Sequence, residues 1–365
     1  VIIKNGTIVN FRRCGVTVNS GCSVIKLQDL TVENCAIRGI ELIGTSGSKI
    51  NKSEISNCKM YGCCASATAT DYALSLSHCV DVIVSDCRLS ENNGTPSNYT
   101  IVFLDTCNAC VLDRIIVEKN TSSGGGEMRM FSVAASTNCR FNKCVARNNT
   151  ASINLNAYTL AAGALSNNNI FYNCFSILNT SGNSNTSSGF ESGLSYNTIY
   201  KNCKAIGQNG GQSVGYAQAV GGVSPNYINC QSMGHIAFLN SNANAGYFAV
   251  STYGFMNECV AMYNASTQAN NFCVGVFIIG GASNWLIRNS DFVGNTNSAS
   301  DINSNGINLN SGSNNVFVQN VAARNGSTAN TNNIVGVAAG SIDTTGGSTT
   351  MNSPTAPWTN LSIRS

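Results

Sequence analysis

A repeat constrains this chain more than any other feature. An Asn-Cys dipeptide or its equivalent recurs at Asn34-Cys35, Asn57-Cys58, Asp86-Cys87, Arg114-Ile115, Lys143-Cys144, Asn173-Cys174, Asn202-Cys203, Asn229-Cys230, Glu258-Cys259, Asn289-Ser290 and Asn320-Val321. The steps between them are 23, 29, 28, 29, 30, 29, 27, 29, 31 and 31 residues. Eight of the eleven second positions are Cys and seven of the first are Asn. A period of this size is the signature of a solenoid array, which lengthens along one axis without a second core.

Other columns align on this anchor. Three residues before it stand large, mostly apolar side chains such as Val84, Leu112, Phe141, Phe171 and Tyr200. Two residues after it stand Leu89, Val117, Ala146 and Ala205, and five after it Asn92, Asn120, Asn149, Asn179, Asn264 and Asn295. Side chains of a strand alternate faces with period two. The columns at minus three and plus two have opposite parity yet both read as buried, so the chain must turn between them. The Asn before the Cys is the natural corner, because Asn tolerates the left-handed backbone region better than other non-glycine residues. Stacked Asn side chains can also bond to one another along the axis. The second Asn column marks another corner.

These readings predict an all-β fold: a single-stranded right-handed parallel β-helix of about 11 to 12 coils, each of roughly 29 residues. The solenoid is expected over residues 1–350, with 351–365, which holds Trp358, as a tail or cap. Stretches 121–126, 179–188 and 295–305 read as loop excursions.

Composition narrows the partners. Charged residues are 10% of the chain, against about 25% in ordinary domains. The polar surface must therefore come from 53 Asn, 35 Gly and the hydroxyl residues. Net charge is +3 with no long Lys/Arg cluster, so no nucleic-acid footprint is expected. No apolar run reaches the length of a membrane span. Residues 1–9 alternate like a strand, and no signal peptide is visible.

The apolar, Asn-corner, Cys pattern resembles the right-handed parallel β-helix superfamily of pectate lyases, polygalacturonases and phage tailspikes. The opening Ile3-Lys4-Asn5-Gly6-Thr7-Ile8 and the Asn-Cys coils are most similar to Cys- and Asn-rich β-helix proteins of intracellular bacteria and giant viruses. The resemblance implies the fold. For activity it implies motifs this chain lacks: no Asn-Thr-Asp, Gly-Asp-Asp, Gly-His-Gly or Arg-Ile-Lys segment is present. Gly234-His235 carries half of one and Arg114-Ile115 a fragment of another.

Glycoside hydrolysis needs two carboxyls about 5 to 9 Å apart. After Glu127 only Glu191, Glu258, Asp291, Asp301 and Asp343 remain. The weak catalytic candidates are therefore Asp81, Asp105 and Asp113, with Arg114 as a charge stabiliser. Against them stands a plainer reading as surface ion pairs between coils: Asp86 on Arg114, Glu91 on Lys119, Glu118 on Arg147. The 17 Cys read mainly as free, buried thiols whose apolar bulk fills the ladder. Cys107 and Cys110 could suggest zinc, but Cys79 under Cys107 and Cys110 under Cys139 continue the columns, so no metal or cofactor is expected. Cys63-Cys64 falls off the ladder and is expected to be exposed. His235 replaces Asn at a corner.

The function expected is a non-enzymatic structural or surface protein, extracellular or on a cell or virion, that self-associates as a fibre, filament, coat or adhesin rod. A bare first coil would template pairing with another chain. A polysaccharide lyase, hydrolase or depolymerase is the alternative, and a glycan- or protein-binding module without catalysis a third reading.

Overall fold

A computed structural model shows an all-β chain of parallel coils stacked as a β-solenoid, with roughly 29 residues per turn. It describes residues 1–64, 71–94, 98–161, 165–182, 186–193, 195–218, 224–238, 244–250, 252–267, 273–279, 282–298, 304–309, 315–323, 325, 334–335 and 342–346. The expected tail at 351–365 lies outside them. Contacts divide the chain into two units, Val1–Gly182 and Asn183–Ser365.

One coil of the first unit shows the plan. The chain turns at Asp81 (φ 53°), forms the strand Ile83–Ser85, turns at Asp86 (φ 55°), forms Arg88–Ser90, and turns again at Glu91 (φ 55°). The long strand Asn98–Asp105 then closes the coil. Each strand pairs in register with its counterpart one coil on: Val84 with Leu112, Leu89 with Val117, Phe103 with Ser132. The chain turns a fourth time at Thr106 (φ 53°), and each of the four corners needs a residue in the left-handed region, where Asn, Asp and Gly cost least. Asn57, Lys143 and Asn173 occupy it at φ 50°, 52° and 53°, so the corner assigned from the sequence holds.

The residue after a corner points inward, and at many rungs its side chain donates a hydrogen bond. Cys87 Sγ reaches the carbonyl of Ser85 at 3.2 Å, and Cys144 Sγ reaches those of Asn142 at 3.6 Å and Leu112, one coil below, at 3.5 Å. Ser53 and Ser136 make the same bond to Asn51 and Ala134, at 3.1 and 2.8 Å. In the second unit Cys230 and Cys259 reach the carbonyls of Tyr200 and Tyr227 at 3.2 and 3.4 Å. The column selects a short donor that satisfies a buried carbonyl. Apolar bulk alone, the requirement read from the sequence, is not the rule, although Ile115 and Leu30 show that bulk suffices at some rungs.

The Asn column follows the same logic at the next corner. In the first unit Asn92, Asn120, Asn149 and Asn179 are fully buried. Asn92 Nδ2 donates to Asn120 Oδ1, Asn120 to Asn149 and Asn149 to Asn179, each at 2.9 Å. Asn264, Asn295 and Asn325 form a second ladder at 2.7 and 3.0 Å. The left-handed residue there is the one before the Asn, such as Glu91, Lys119 or Asn148.

Three sequence readings are corrected by the register. Leu27 pairs with Ile55 and Val32 with Met60, so Asp29, bonded by Asn57 at 2.5 Å, holds the Asn57 corner. Asn34-Cys35 belongs to the next corner, with Gly62-Cys63 and Glu91-Asn92, and the 23-residue step joined two different corners. Cys63 therefore starts the Asn ladder, giving its backbone N–H to Asn92 Oδ1 at 2.8 Å. It and Cys64 are 0% exposed, not an exposed pair. At the far end Ile287 pairs with Phe317, and φ is 53° at Gln319. Asn320 thus takes the Ser290 column, one residue off the assumed anchor, and bonds Ile287 O at 2.9 Å.

Aromatic rings stack between coils. Phe131 lies 4.8 Å from Tyr158 and Phe141 4.7 Å from Phe171 in the first unit. Phe190, Tyr216 and Tyr247 stack at 4.9 and 4.8 Å in the second. Their hydroxyls are not wasted: Tyr216 donates to Cys203 O at 2.6 Å and Tyr247 to Cys230 O at 2.8 Å, as a buried phenol requires.

Candidate functional site

The structure places the candidate carboxylates at three different positions of the coil. Asp81 is an exposed corner residue in the column of Lys52 and Ala109. Asp105 ends a long strand, stacked between Ser77 and Ala134. It accepts from Ser77 Oγ at 3.5 Å and Thr106 Oγ1 at 3.1 Å. Asp113 lies on the other sheet, paired with Ser85 and Asn142, and accepts from Asn142 Nδ2 at 2.6 Å. Left-handed corners at Thr106 and Ala109 separate it from Asp105. No two of the three are register partners.

Arg114 is engaged instead of poised. Its Nε and Nη2 grip Asp86 at 2.6 and 2.7 Å, and Nη1 pairs with Asp113. The hydrogen bond from Arg114 holds the Asp86 carboxyl below the usual carboxylate range, and the same bond raises the guanidinium. This is the stacked pair expected from the sequence. Glu118 pairs with Arg147 at 2.6 Å as expected, and also with Arg88. Glu118 is only 2% exposed, so this triad is not the surface pair anticipated: one carboxylate is buried between two half-exposed guanidinium groups. Glu91 and Lys119 share a corner column, both at φ 55°.

One cluster escaped the sequence reading. On the long strands of the first unit two successive residues point inward. Register pairs Thr100 with Arg129 and Val102 with Phe131 but skips Ile101 and Met130, and all four apolar residues are fully buried. The outward face therefore carries positions three apart. Arg38 pairs with Glu41 and lies 5.4 Å over the Tyr72 ring, which stacks on Phe103 at 4.7 Å. Arg129 pairs with Glu127, which accepts from Asn156 at 2.5 Å. Ser132 and Thr159 complete the face at 1% and 4% exposure. Each Arg meets its own carboxylate, so the face carries alternating, neutralised charge. The signal in the sequence was a double apolar step inside a strand, which breaks simple alternation.

All 17 Cys are free thiols, and only Cys14 and Cys22 are not buried. Burial pushes the Cys144, Cys259 and Cys273 thiols well above their ordinary range, so they are neutral donors and not nucleophiles. Among the described residues no group of three or more His, Cys, Asp or Glu gathers as a metal set. The Cys79, Cys107, Cys110 and Cys139 stacking follows the expected columns. His235 replaces Asn in the ladder, while Gly234 (φ 66°) makes the corner. Its Nδ1 accepts from Gln208 N at 3.1 Å and its Nε2 lies 2.8 Å from Ser232 Oγ. Burial lowers its pKa to about 3, so it is a neutral rung, shut away from any substrate. No described helix is long and apolar enough to cross a membrane.

No family model matches the chain, and comparison with curated proteins finds no match. Among solved structures it is similar to the catalytic unit of a thermostable GH87 α-1,3-glucanase from Streptomyces thermodiastaticus strain HF3-3. Identity is 14% and the TM-score 0.23, over 87% of this chain and 60% of that one. The chain thus spans less than two thirds of that neighbour's length.

Proposed function

We propose that this chain is a non-enzymatic structural or surface β-solenoid that associates with copies of itself. The observation that carries the reading is the state of its chemical groups. Asp86, Asp113, Arg114, Glu118, Arg147 and Arg88 are tied into ladders between coils, and buried thiols such as Cys87, Cys144 and Cys259 and the His235 ring are engaged with backbone carbonyls and amides. Groups held this way reinforce the stack. Self-association is supported by apolar side chains left on the flanks, among them Ile83 and Leu178 in the first unit and Phe238, Tyr253 and Tyr263 in the second. An outer surface of Asn, Ser and Thr suits a location outside the cell or on a virion.

The test uses the full chain. It is sedimented over a range of concentrations and incubated with a panel of neutral and acidic polysaccharides. The reading expects concentration-dependent assembly and no cleavage. Glycan cleavage that Asp105→Asn or Asp113→Asn abolishes would overturn it in favour of a lyase or hydrolase.

A further inference from the structure

The corner at Ala109 (φ 54°) carries a cysteine on each side, Cys107 two residues before it and Cys110 just after it. Register fixes their columns. Val80 bridges Asn108 and Asn108 bridges Thr137, while Ile83 pairs with Val111 and Val111 with Arg140. The rung below therefore holds Cys79 and Val82 in the two places, and the rung above holds Ser136 and Cys139. Neither rung has a thiol at both. Ser136 shows that a hydroxyl serves the first place, and Val82 that the second needs no donor. The ladder does not account for two cysteines on one coil.

Both thiols enter the interior from the two arms of the corner, at 2% and 0% exposure. Cys107 Sγ donates to Leu76 O at 3.3 Å and Cys110 Sγ to Cys79 O at 3.6 Å, carbonyls of the coil below. The two thiols are also hydrogen-bonded to each other. This sets them apart from stacked pairs such as Cys144 and Cys174. Stacked residues in register keep their Cβ bonds parallel at about 4.8 Å, wider than the Cβ separation of about 3.5–4.5 Å in a disulfide. Side chains from the two arms of a corner converge instead. Hydrogen bonds from the Cys107 and Cys139 thiols favour the thiolate at Cys110, against the burial that opposes it. The bond to Cys110 holds the Cys107 thiol protonated. Cys110 is thus the attacking sulfur and Cys107 the resolving one.

We propose that Cys107 and Cys110 are a peroxide-oxidised dithiol that closes to a disulfide across the Ala109 corner. The Cys110 sulfur takes one oxygen of hydrogen peroxide as a sulfenic acid and releases water. The Cys107 thiol then displaces that hydroxyl as a second water. Two thiols lose two electrons and two protons, and the O–O bond is reduced to two waters. Closure withdraws both S–H donors from the Leu76 and Cys79 carbonyls, so the junction between two coils responds to oxidation. Burial makes the step wait on local opening, which a molecule as small as peroxide can follow.

The full reduced chain is exposed to hydrogen peroxide, alkylated in denaturant and digested with trypsin. Residues 89–114 form one tryptic peptide whose only cysteines are Cys107 and Cys110. Circular dichroism checks that the oxidised chain keeps its fold. The expected result is that this peptide becomes unalkylated and two hydrogens lighter, reversibly with dithiothreitol, while Cys144 and Cys174 stay alkylated. Its rate should stay flat in urea below the unfolding transition. Full alkylation of Cys107 and Cys110 after Cys14 has been oxidised would overturn the proposal. So would a cross-link along the axis, from Cys107 to Cys79 or from Cys110 to Cys139, formed in its place. Closure no faster than a Cys144–Cys174 bridge, or at a rate that climbs with urea as global unfolding does, would overturn it too.

Discussion

Replacing Asn120 by Ala should cost far more than its small change in volume suggests. Asn120 is fully buried. Its Oδ1 accepts from the backbone N–H and the Nδ2 of Asn92, at 3.0 and 2.9 Å. Its Nδ2 donates to Leu89 O at 3.3 Å and Asn149 Oδ1 at 2.9 Å. After truncation Asn92 Nδ2 keeps Met60 O and Asn149 Oδ1 keeps the Asn120 N–H. The Asn92 N–H and the Leu89 carbonyl lose these partners. The buried Asn92 N–H left so costs about 1–3 kcal/mol and the two ladder bonds of Asn120 about 0.5–1.5 kcal/mol each, hence about 2–6 kcal/mol together, while the Leu89 carbonyl stays in the strand ladder through the pairing of Ser90 with Glu118. Asn57→Ala is the control. Asn57 is exposed, at φ 50°, with one ladder bond to Asp29. Alanine in the left-handed region costs about 1–2 kcal/mol. Urea unfolding followed by far-UV circular dichroism should shift much further for Asn120→Ala, at an unchanged slope. If Asn57→Ala shifts the midpoint as far, the ladder does not hold the coils together as argued.

Ellman's reagent should react quickly with Cys14 and Cys22 in the native chain and with all 17 thiols after denaturation; rapid loss of Cys63 or Cys64, read by mass spectrometry, would contradict their place in the ladder. Cys144→Ser should stay within about 1 kcal/mol of the wild type in urea, because a hydroxyl can reach the Asn142 and Leu112 carbonyls, whereas Cys144→Ala loses the donor and costs more. His235 has a folded pKa of about 3 against an ordinary 6.5, so the unfolded chain binds the extra proton. Stability is complete above about 6.5 and falls as pH drops toward 3, by about 2–3 kcal/mol at pH 4.5. His235→Asn, measured by thermal melts across that window, should remove this component. Asp86 should titrate by NMR below the usual carboxylate range and move back up in Arg114→Gln. Its share of stability is present above the ordinary carboxylate pKa and is lost as pH falls through the lowered value.

The repeat was legible because a left-handed corner tolerates few residues, and Asn meets that demand rung after rung. The in-register ion pairs Asp86 with Arg114 and Glu118 with Arg147 followed directly from the period. What misled was that two corners of each coil make the same demand: a left-handed residue, then an inward donor. Asn34-Cys35 therefore looked like Asn57-Cys58 while standing at a different turn, and Cys63 looked displaced when it was a rung. Asn320 was misplaced by one for the same reason, since Asn fits both positions of the dipeptide. Function was far less legible. Outward residues answer to no period, so Asp81, Asp105 and Asp113 could be neighbours in sequence without sharing a column. The neutralised face of Arg38, Glu41, Tyr72 and Arg129 depended on a double inward step at Ile101 and Val102 that alternation does not foresee.

The central claim is that side chains after the corners carry hydrogen bonds from one coil to the next. Amide hydrogen exchange at Asn92, measured by NMR in the wild type and in Asn120→Ala, tests it most directly. The Asn92 N–H bonds only to a side chain, Asn120 Oδ1 at 3.0 Å, whereas the Asn120 and Asn149 amides bond to Asn149 and Asn179. The account predicts a protected Asn92 amide in the wild type that exchanges rapidly in the variant, while the Asn149 amide stays slow. An Asn92 amide that exchanges freely in the wild type, or at the same rate in both, would contradict it.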